Sequence, residues 1–302
     1  MSLAFLACVE RGRLEAQTIL LCRSIRRNAG CFADAPIHTF QPRKGTEIGS
    51  DTLAALRDLN VQHHTDELNR DLAHYPIGNK VFVCAHTEQT LAEDVLVFLD
   101  SDTMFISEPS SFALPSGVQI ALRPVDHKNR GSTGPDDPND EYWRRLYELC
   151  GVSGGRFIEA AVSDQRIRAY YNSGLICARR SSGIFQRWKH NLLRLISANH
   201  IPDGQITFMD QLALAATLEG IVDNAIHLLD ARYNYPLPKR PLLPASRQYP
   251  LEQLVHLHYH RWFHRPGFLN ELQPPFDPDT EMFRWIADQL PLHPIIDESL
   301  RF

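Results

Sequence analysis

The stretch VLVFLDSDTMFI, Val95–Ile106, decides the fold. Its five apolar residues, Val95 to Leu99, predict a buried strand that stops at Asp100-Ser101-Asp102, and a second apolar run, Met104 to Ile106, follows at once. In extended backbone, residues i and i+2 share a side, so Asp100 and Asp102 present two carboxylates together at the strand's carboxyl end. Open α/β sheets bind ligands at that end. Adjacent, partly buried carboxylates repel each other and lose hydration, and a divalent cation is the natural compensation. Oxygen donors suit Mg²⁺ or Mn²⁺, ions that commonly bridge to a diphosphate. A solvated acidic turn would use the same residues, but the apolar frame on both sides favours the metal reading.

Upstream of this strand the pattern alternates. Leu3–Val9 predicts a first strand, and Leu14–Arg27 an amphipathic helix with Ile19, Leu20, Cys22 and Ile25 at helical spacing. Ile37–Phe40 and Val61–His63 predict short strands, with a helix between them capped by Ser50 or Asp51. Asn79–Leu91 predicts the helix that leads into Val95–Leu99. Strand and helix alternating in this way are the signature of a parallel sheet with crossover helices. Downstream, Gly117–Leu122 and Gly174–Ala178 predict strands, Glu141–Cys150 a helix, and Ile184–Ala198 a long helix capped by Ser182. Asp210–Leu218 and Glu281–Leu290 predict two more helices, and Val222–Leu229 and Leu254–Tyr259 contain further strands. Pro124–Asp140 reads as a long polar loop, and loops of this length are often functional lids or disordered. No linker interrupts the pattern. We therefore expect one domain over 1–302, with a C-terminal helical extension over 271–302.

The chain has 302 residues and a net charge of −5, which argues against a nucleic-acid partner, since that needs a basic footprint. No window approaches a transmembrane span. Leu3–Val9 lacks a basic leader and runs into Glu10-Arg11, so it reads as a strand and not a signal peptide. The six cysteines form no CxxC, and several lie in apolar runs, which predicts buried free thiols and a cytoplasmic protein.

Four further groupings carry chemistry. In VHLHYHRWF, Val255–Phe263, the histidines His256, His258 and His260 alternate, so in extended backbone all three imidazoles share a face and one of them completes a metal site begun by the aspartates. His264 and Arg265 follow, and cations there would neutralise a departing diphosphate or simply face solvent. Tyr170-Tyr171-Asn172-Ser173-Gly174 offers amide and hydroxyl groups to a polyhydroxylated ligand, with Gly174 permitting close approach, or else forms a turn. Asp210-Gln211 opens an apolar helix, where an acidic residue also suits the helix dipole. Asn79-Lys80 opens the helix before the aspartates.

In this order, Asn79-Lys80, Phe98-Leu99-Asp100-Ser101-Asp102, Tyr171-Asn172-Ser173-Gly174, Asp210-Gln211 and His258 resemble the GT-A-fold glycosyltransferases, specifically the glycogenin-like and galactosyltransferase-like enzymes of family 8. The resemblance covers Leu3 to about Pro266. It implies an α/β, Rossmann-like, mostly parallel central sheet with helices on both faces, with a nucleotide-binding half to about 125 and an acceptor-facing half over about 126–270. It implies transfer of a sugar from a nucleotide-sugar, UDP-linked, to a carbohydrate or other hydroxyl acceptor, with Mn²⁺ or Mg²⁺ and with retention. By the same resemblance Asp100, Asp102 and His258 (alternatively His256) hold the metal, and Ser101, Ser173, Asn79, Lys80 and Arg265 join the donor site. Glu10 and Arg11 meet base and ribose, Asn172 and Asp210 meet sugar hydroxyls, and Gln211 lies against the anomeric carbon. Lys128 or Arg130 joins when the long loop closes over the donor. The chain departs from the family where Val9-Glu10 replaces Thr-Asp, where His258-Tyr259-His260-Arg261 lacks the usual glycine after the late histidine, and where Arg265-Pro266-Gly267 replaces Lys-Pro-Trp. Two other readings remain at this level. One is a zinc hydrolase built on His256, His258 and His260; the other is a nucleotide-sugar-binding protein without turnover.

Overall fold

The computed structural model describes Met1–Pro294. Its elements, in chain order, are β1 (Leu3–Cys8), α1 (Arg13–Asn28), β2 (Ile37–Phe40), α2 (Ser50–Asp58), β3 (Val61–His64), α3 (Asn79–Thr90), β4 (Val95–Leu99) and β5 (Thr103–Phe105). There follow β6 (Ile120–Pro124), α4 (Asp140–Cys150), β7 (Phe157–Glu159), β8 (Arg166–Arg168), β9 (Tyr171–Arg179), α5 (Ile184–Ser197) and α6 (Met209–Glu219). The chain closes with β10 (Ile226–Leu228), β11 (Tyr235–Pro236), β12 (His256–His258), α7 (Phe268–Glu271) and α8 (Glu281–Ala287).

Seven strands form the central sheet in the order β10-β6-β9-β4-β1-β2-β3. The first four strands of the alternating pattern pair in parallel, β4 to β1, β1 to β2 and β2 to β3. The exception is β9, which inserts antiparallel between β4 and β6, while β10 and β6 are again parallel. Alternate strand residues go to opposite faces. Ala4, Leu6, Leu96 and Phe98 pack under α3, α5 and α6, among Val81, Trp188 and Leu212. Leu3, Phe5, Ala7, Val95, Val97 and Leu99 pack against Leu21 and Ile25 of α1 and Leu56 of α2. Burial on both faces is why these strands read as continuous apolar runs instead of alternating ones.

A smaller sheet, β11-β12-β5, sits beyond the carboxyl end of β4. Its antiparallel register sets His258 opposite Thr103 and His256 opposite Phe105. Here the late histidines meet the chain segment that follows the aspartates. A third cluster, including Met104, Leu257, Tyr259 and Phe263, anchors this sheet to the C-terminal segment.

Several expected boundaries move for local reasons. β6 starts at Ile120 because Gly117 has φ +84° and Val118 closes a turn onto Pro115. Gly49 and Gly183, not Ser50 and Ser182, precede α2 and α5; the Gly49 amide donates to Glu15 at 2.6 Å. The β7–β8 hairpin and α7 were not expected from the sequence, being only three and four residues per element. The expected Glu281–Leu290 helix ends at Ala287. Of the expected C-terminal extension, 295–302 lies outside the described residues. The 124–140 loop is built around Asp137, which accepts from Lys128 Nζ at 2.8 Å, Thr133 N at 3.0 Å and Asn139 N at 2.9 Å. All six cysteines are free; Cys22, Cys84 and Cys177 are buried, but Cys31 is exposed. Among the described residues no helix is long and apolar enough to cross a membrane.

Candidate active site

A cleft of about 1040 Å³ opens at the carboxyl ends of β1 and β4. Its walls include Glu10, Arg11, Asn79, Lys80, Asp100, Ser101, Asp102, Asn172, Asp210, Gln211, His258 and His260. Residues far apart in sequence converge here because β4 and β9 share a ladder. That ladder runs one step past Leu99, with the Asp100 amide donating to the Gly174 carbonyl at 2.8 Å. The Asp-Ser-Asp turn is closed by Thr103 Oγ1, which donates to the Asp100 carbonyl at 2.6 Å.

One wall is a buried ionic group. Lys80 Nζ lies 2.6 Å from Asp100 Oδ1 and 3.9 Å from Asp210 Oδ2. Asp210 is fully buried and accepts from Ser173 Oγ at 2.6 Å and Tyr75 OH at 2.8 Å, while its carbonyl accepts from Trp188 Nε1 at 2.7 Å. Burial alone would lower Lys80, but Asp100 and Asp210 outweigh it and hold the ammonium charged beyond its ordinary range. Burial raises the Asp210 carboxyl against the pull of Lys80.

The opposite wall is a second cluster. Asp102 Oδ1 lies 3.3 Å from His258 Nε2, and Asp102 Oδ2 lies 3.7 Å from His260 Nδ1. One donor atom from each of the three side chains falls within 4.8 Å of the others. A chain of hydrogen bonds fixes the His258 tautomer. The Gly174 amide donates to Asn172 Oδ1 at 2.7 Å, and Asn234 Nδ2 donates to the same oxygen at 2.9 Å. Asn234 Oδ1 therefore accepts from His258 Nδ1, at 3.1 Å. The Nε2 lone pair is left facing a carboxylate, an arrangement that needs a positive charge between them, either a proton or a metal ion. Burial works against a charged His258, yet the Asp102 carboxylate prevails and raises it. Burial alone would raise Asp102, but His258 and His260 hold it well below the usual carboxylate range. One carboxylate and two imidazoles are donors that fit a divalent ion.

Several expected contributors lie elsewhere. His256 is fully buried with its ring 4.7 Å from that of Phe105, and it is not among the three side chains whose donor atoms come together at Asp102. The three imidazoles do not share one environment: His256 lies opposite Phe105 in the strand, while the turn at His260, with φ +54°, brings that ring beside His258. Arg265 is paired with Glu271 at 2.6 Å and lies over the Trp262 ring, outside the cleft lining. Lys128 is held by Asp137 inside its own loop. Ser173 does not line the cleft; its hydroxyl joins Lys80 to Asp210. Ser101 lines the cleft, but its hydroxyl donates to the Cys8 carbonyl at 2.5 Å. Asp100 faces the cleft beside Asp102 yet is paired with Lys80, not with the histidines. Glu10 is joined to Arg43 through two contacts and accepts from Asn79 Nδ2 at 3.0 Å. Tyr75, Trp188 and Asn234 were not foreseen. Only Asn234, an asparagine in an irregular proline-rich stretch, carries a local signal, and it takes φ +44°.

A two-faced α/β sheet with an Asp-X-Asp turn and a late histidine across one cleft defines the GT-A class of glycosyltransferases. Residues 5–221 match the family described as the Rhodobacterales glycosyltransferase domain, and the chain belongs to that family. No curated protein matches it in sequence. Among solved structures, the bifunctional glycosyltransferase WbbM is similar at TM-score 0.57 and 13% identity, covering 96% of this chain and 52% of its own. This chain thus spans about half of WbbM. The galactosyltransferase LgtC, in complex with donor and acceptor sugar analogs, is similar at TM-score 0.53 and 15% identity over 97% of this chain and 98% of its own. Mouse xyloside xylosyltransferase 1 is similar at TM-score 0.50 and 15% identity over 86% of this chain and 97% of its own. At these identities the likeness is one of fold. The family membership makes the chain a glycosyltransferase.

Proposed function

We propose that this glycosyltransferase moves a sugar from a UDP-linked donor to a hydroxyl of a carbohydrate or other acceptor, with retention, as a family 8 enzyme that uses Mn²⁺ or Mg²⁺. The observation that carries this reading is the Asp102–His258 pair across the cleft from the Lys80–Asp100–Asp210 group. Asp102 and His258 hold the ion, with Asp100 as the neighbouring carboxylate. Bound there, the ion offsets charge developing on the departing diphosphate.

The chain's own groups do the rest. Arg11 and Glu10, at the end of β1, meet the base and ribose. Asn79 steadies Glu10 through the 3.0 Å hydrogen bond. Asn172 and Asp210 take sugar hydroxyls, with Asp210 held in one orientation by Tyr75 and Ser173. Gln211, half-buried at the cleft, faces the anomeric carbon; an amide is too weak a base for an inverting mechanism. It stabilises positive charge at that carbon while the departing diphosphate oxygen takes the acceptor's proton on the same face. The chain forms one domain whose first half holds the donor and whose second half faces the acceptor, and its unbridged cysteines suit a cytoplasmic setting.

The test is UDP release from a panel of UDP-sugars, with and without Mn²⁺, for the wild type and Asp102→Asn. Metal-dependent release that falls at least ~100-fold in a folded Asp102→Asn protein supports the reading, as expected on losing a principal electrostatic stabiliser. Near-normal release in that variant refutes it. UDP binding without any release would favour a binding protein instead.

A further inference from the structure

His260 stands where β12 should continue but does not. Its φ of +54° takes it out of the strand, a conformation that costs a non-glycine residue about 1 kcal/mol or more. The turn brings its ring back to 4.0 Å from the His258 ring and its Nδ1 to 3.7 Å from the second oxygen of Asp102. One carboxylate therefore has an imidazole at each oxygen, and the Asn234 contact already commits His258 to presenting Nε2. Meanwhile Lys80 lies 2.6 Å from Asp100 Oδ1, which leaves that carboxylate a single oxygen, Oδ2, to offer the neighbouring position. The donor set has shifted from oxygen towards nitrogen.

Resting on the metal-dependent reading above and narrowing its choice of ion, we propose that His260 is a ligand in its own right, making a two-imidazole, one-carboxylate centre that prefers Mn²⁺, Co²⁺ or Zn²⁺ to Mg²⁺. Mg²⁺ dehydrates reluctantly and favours carboxylates and phosphate oxygens, so a site richer in imidazole disfavours it. Imidazole nitrogen binds the later first-row ions progressively better. The strained backbone at His260 is then the cost of supplying the second nitrogen.

The test uses the intact chain, freed of metal by a chelator and titrated with Co²⁺ alone, followed by visible absorption, and with Mg²⁺ as competitor. It compares the wild type with His260→Asn, because asparagine tolerates the left-handed backbone and keeps the fold while removing the imidazole. Urea unfolding checks that the fold is retained. Loss of an outer-shell partner already weakens metal binding 10–100-fold, so His260→Asn is expected to weaken Co²⁺ at least ~10-fold, change its spectrum and leave the weak Mg²⁺ binding unaltered. His258→Ala should do the same. An unchanged Co²⁺ affinity and spectrum in His260→Asn, or wild-type Mg²⁺ binding as tight as Co²⁺, overturns the proposal. If the wild type holds Co²⁺ with UDP but His260→Asn behaves identically, only the role of His260 falls. If neither ion binds the wild type with or without UDP, the metal-dependent reading falls with it.

Discussion

Replacing Lys80 by methionine should expose how the cleft's ionic wall is balanced. The methionine stem keeps the packing beside Phe98, over which the ammonium now lies at 5.6 Å, and removes only the charge. Two carboxylates lose their cation. Asp100, with a quarter of its side chain exposed, can be rehydrated, whereas Asp210, at 1%, cannot. Breaking a buried pair by deleting one partner costs about 3–5 kcal/mol. Because Tyr75 and Ser173 still donate to Asp210, the loss should sit near the lower end, about 3 kcal/mol. With a urea slope near ~3 kcal/mol/M for a chain of this size, the midpoint should fall by about 1 M. Asp210 is already raised by burial, and without Lys80 it rises further. A carboxyl raised in the folded state binds protons there that the unfolded chain does not hold, so the deficit should shrink between pH 8 and pH 6. Lys80→Met/Asp210→Asn should recover most of the loss. Urea unfolding at both pH values is the assay, and a loss below ~1 kcal/mol at pH 8 would refute the reasoning.

Other perturbations reach different parts of the account. Gly174→Ala puts a Cβ 2.9 Å from Asp100 Oδ2 and 3.0 Å from both Asn172 Oδ1 and His258 Cε1, so it should cost about 1–3 kcal/mol of overpacking and weaken Mn²⁺ binding; unchanged metal affinity would contradict this packing. In the 124–140 loop, burial pulls Asp137 up, but Lys128, Asn139 and Thr133 more than offset it and hold it well below the ordinary value. Its contribution is complete above an unfolded value of about 3.9 and fades as pH falls. Urea stability should therefore drop towards pH 3 less steeply in Asp137→Asn than in the wild type, and parallel profiles would count against the staple. Proton NMR of freshly formed product should show the donor's anomeric configuration retained, and Gln211→Ala should cut turnover while leaving UDP affinity intact; an inverted product would overturn the mechanism.

The middle of the central sheet was legible because β1, β4 and most of β9 are buried on both faces, so each carries an unbroken apolar run between helix-spaced segments. Asp100 and Asp102 were legible for the same reason, as the carboxyl end of such a run. What stayed hidden was tertiary or depended on a single dihedral angle. Nothing within β9 says that it runs antiparallel to β4, since an apolar run reads the same in either direction. The alternation of His256, His258 and His260 pointed to the segment and to His258, but not to the split by which the fold brings His260, and not His256, beside Asp102. The strand stops at His258, and one positive φ separates His260 from His256. Arg265 looked available for a diphosphate because its partner Glu271 sits six residues on, beyond any helical or strand spacing. Tyr75 and Trp188 reach Asp210 from 135 and 22 residues away, contacts that only the fold creates.

The most direct test of metal-coupled donor binding is a thermal-shift comparison of the intact chain with UDP alone, Mn²⁺ alone and both together. A ligand that binds only the folded state raises its stability with concentration over Kd. Each ligand completes the other's site, since a diphosphate supplies oxygens that Asp102 and the histidines do not. The account predicts a shift with both present that exceeds the sum of the separate shifts, and the loss of that excess in Asp102→Asn. A UDP shift that is the same with and without Mn²⁺, and with other divalent ions in its place, would contradict it.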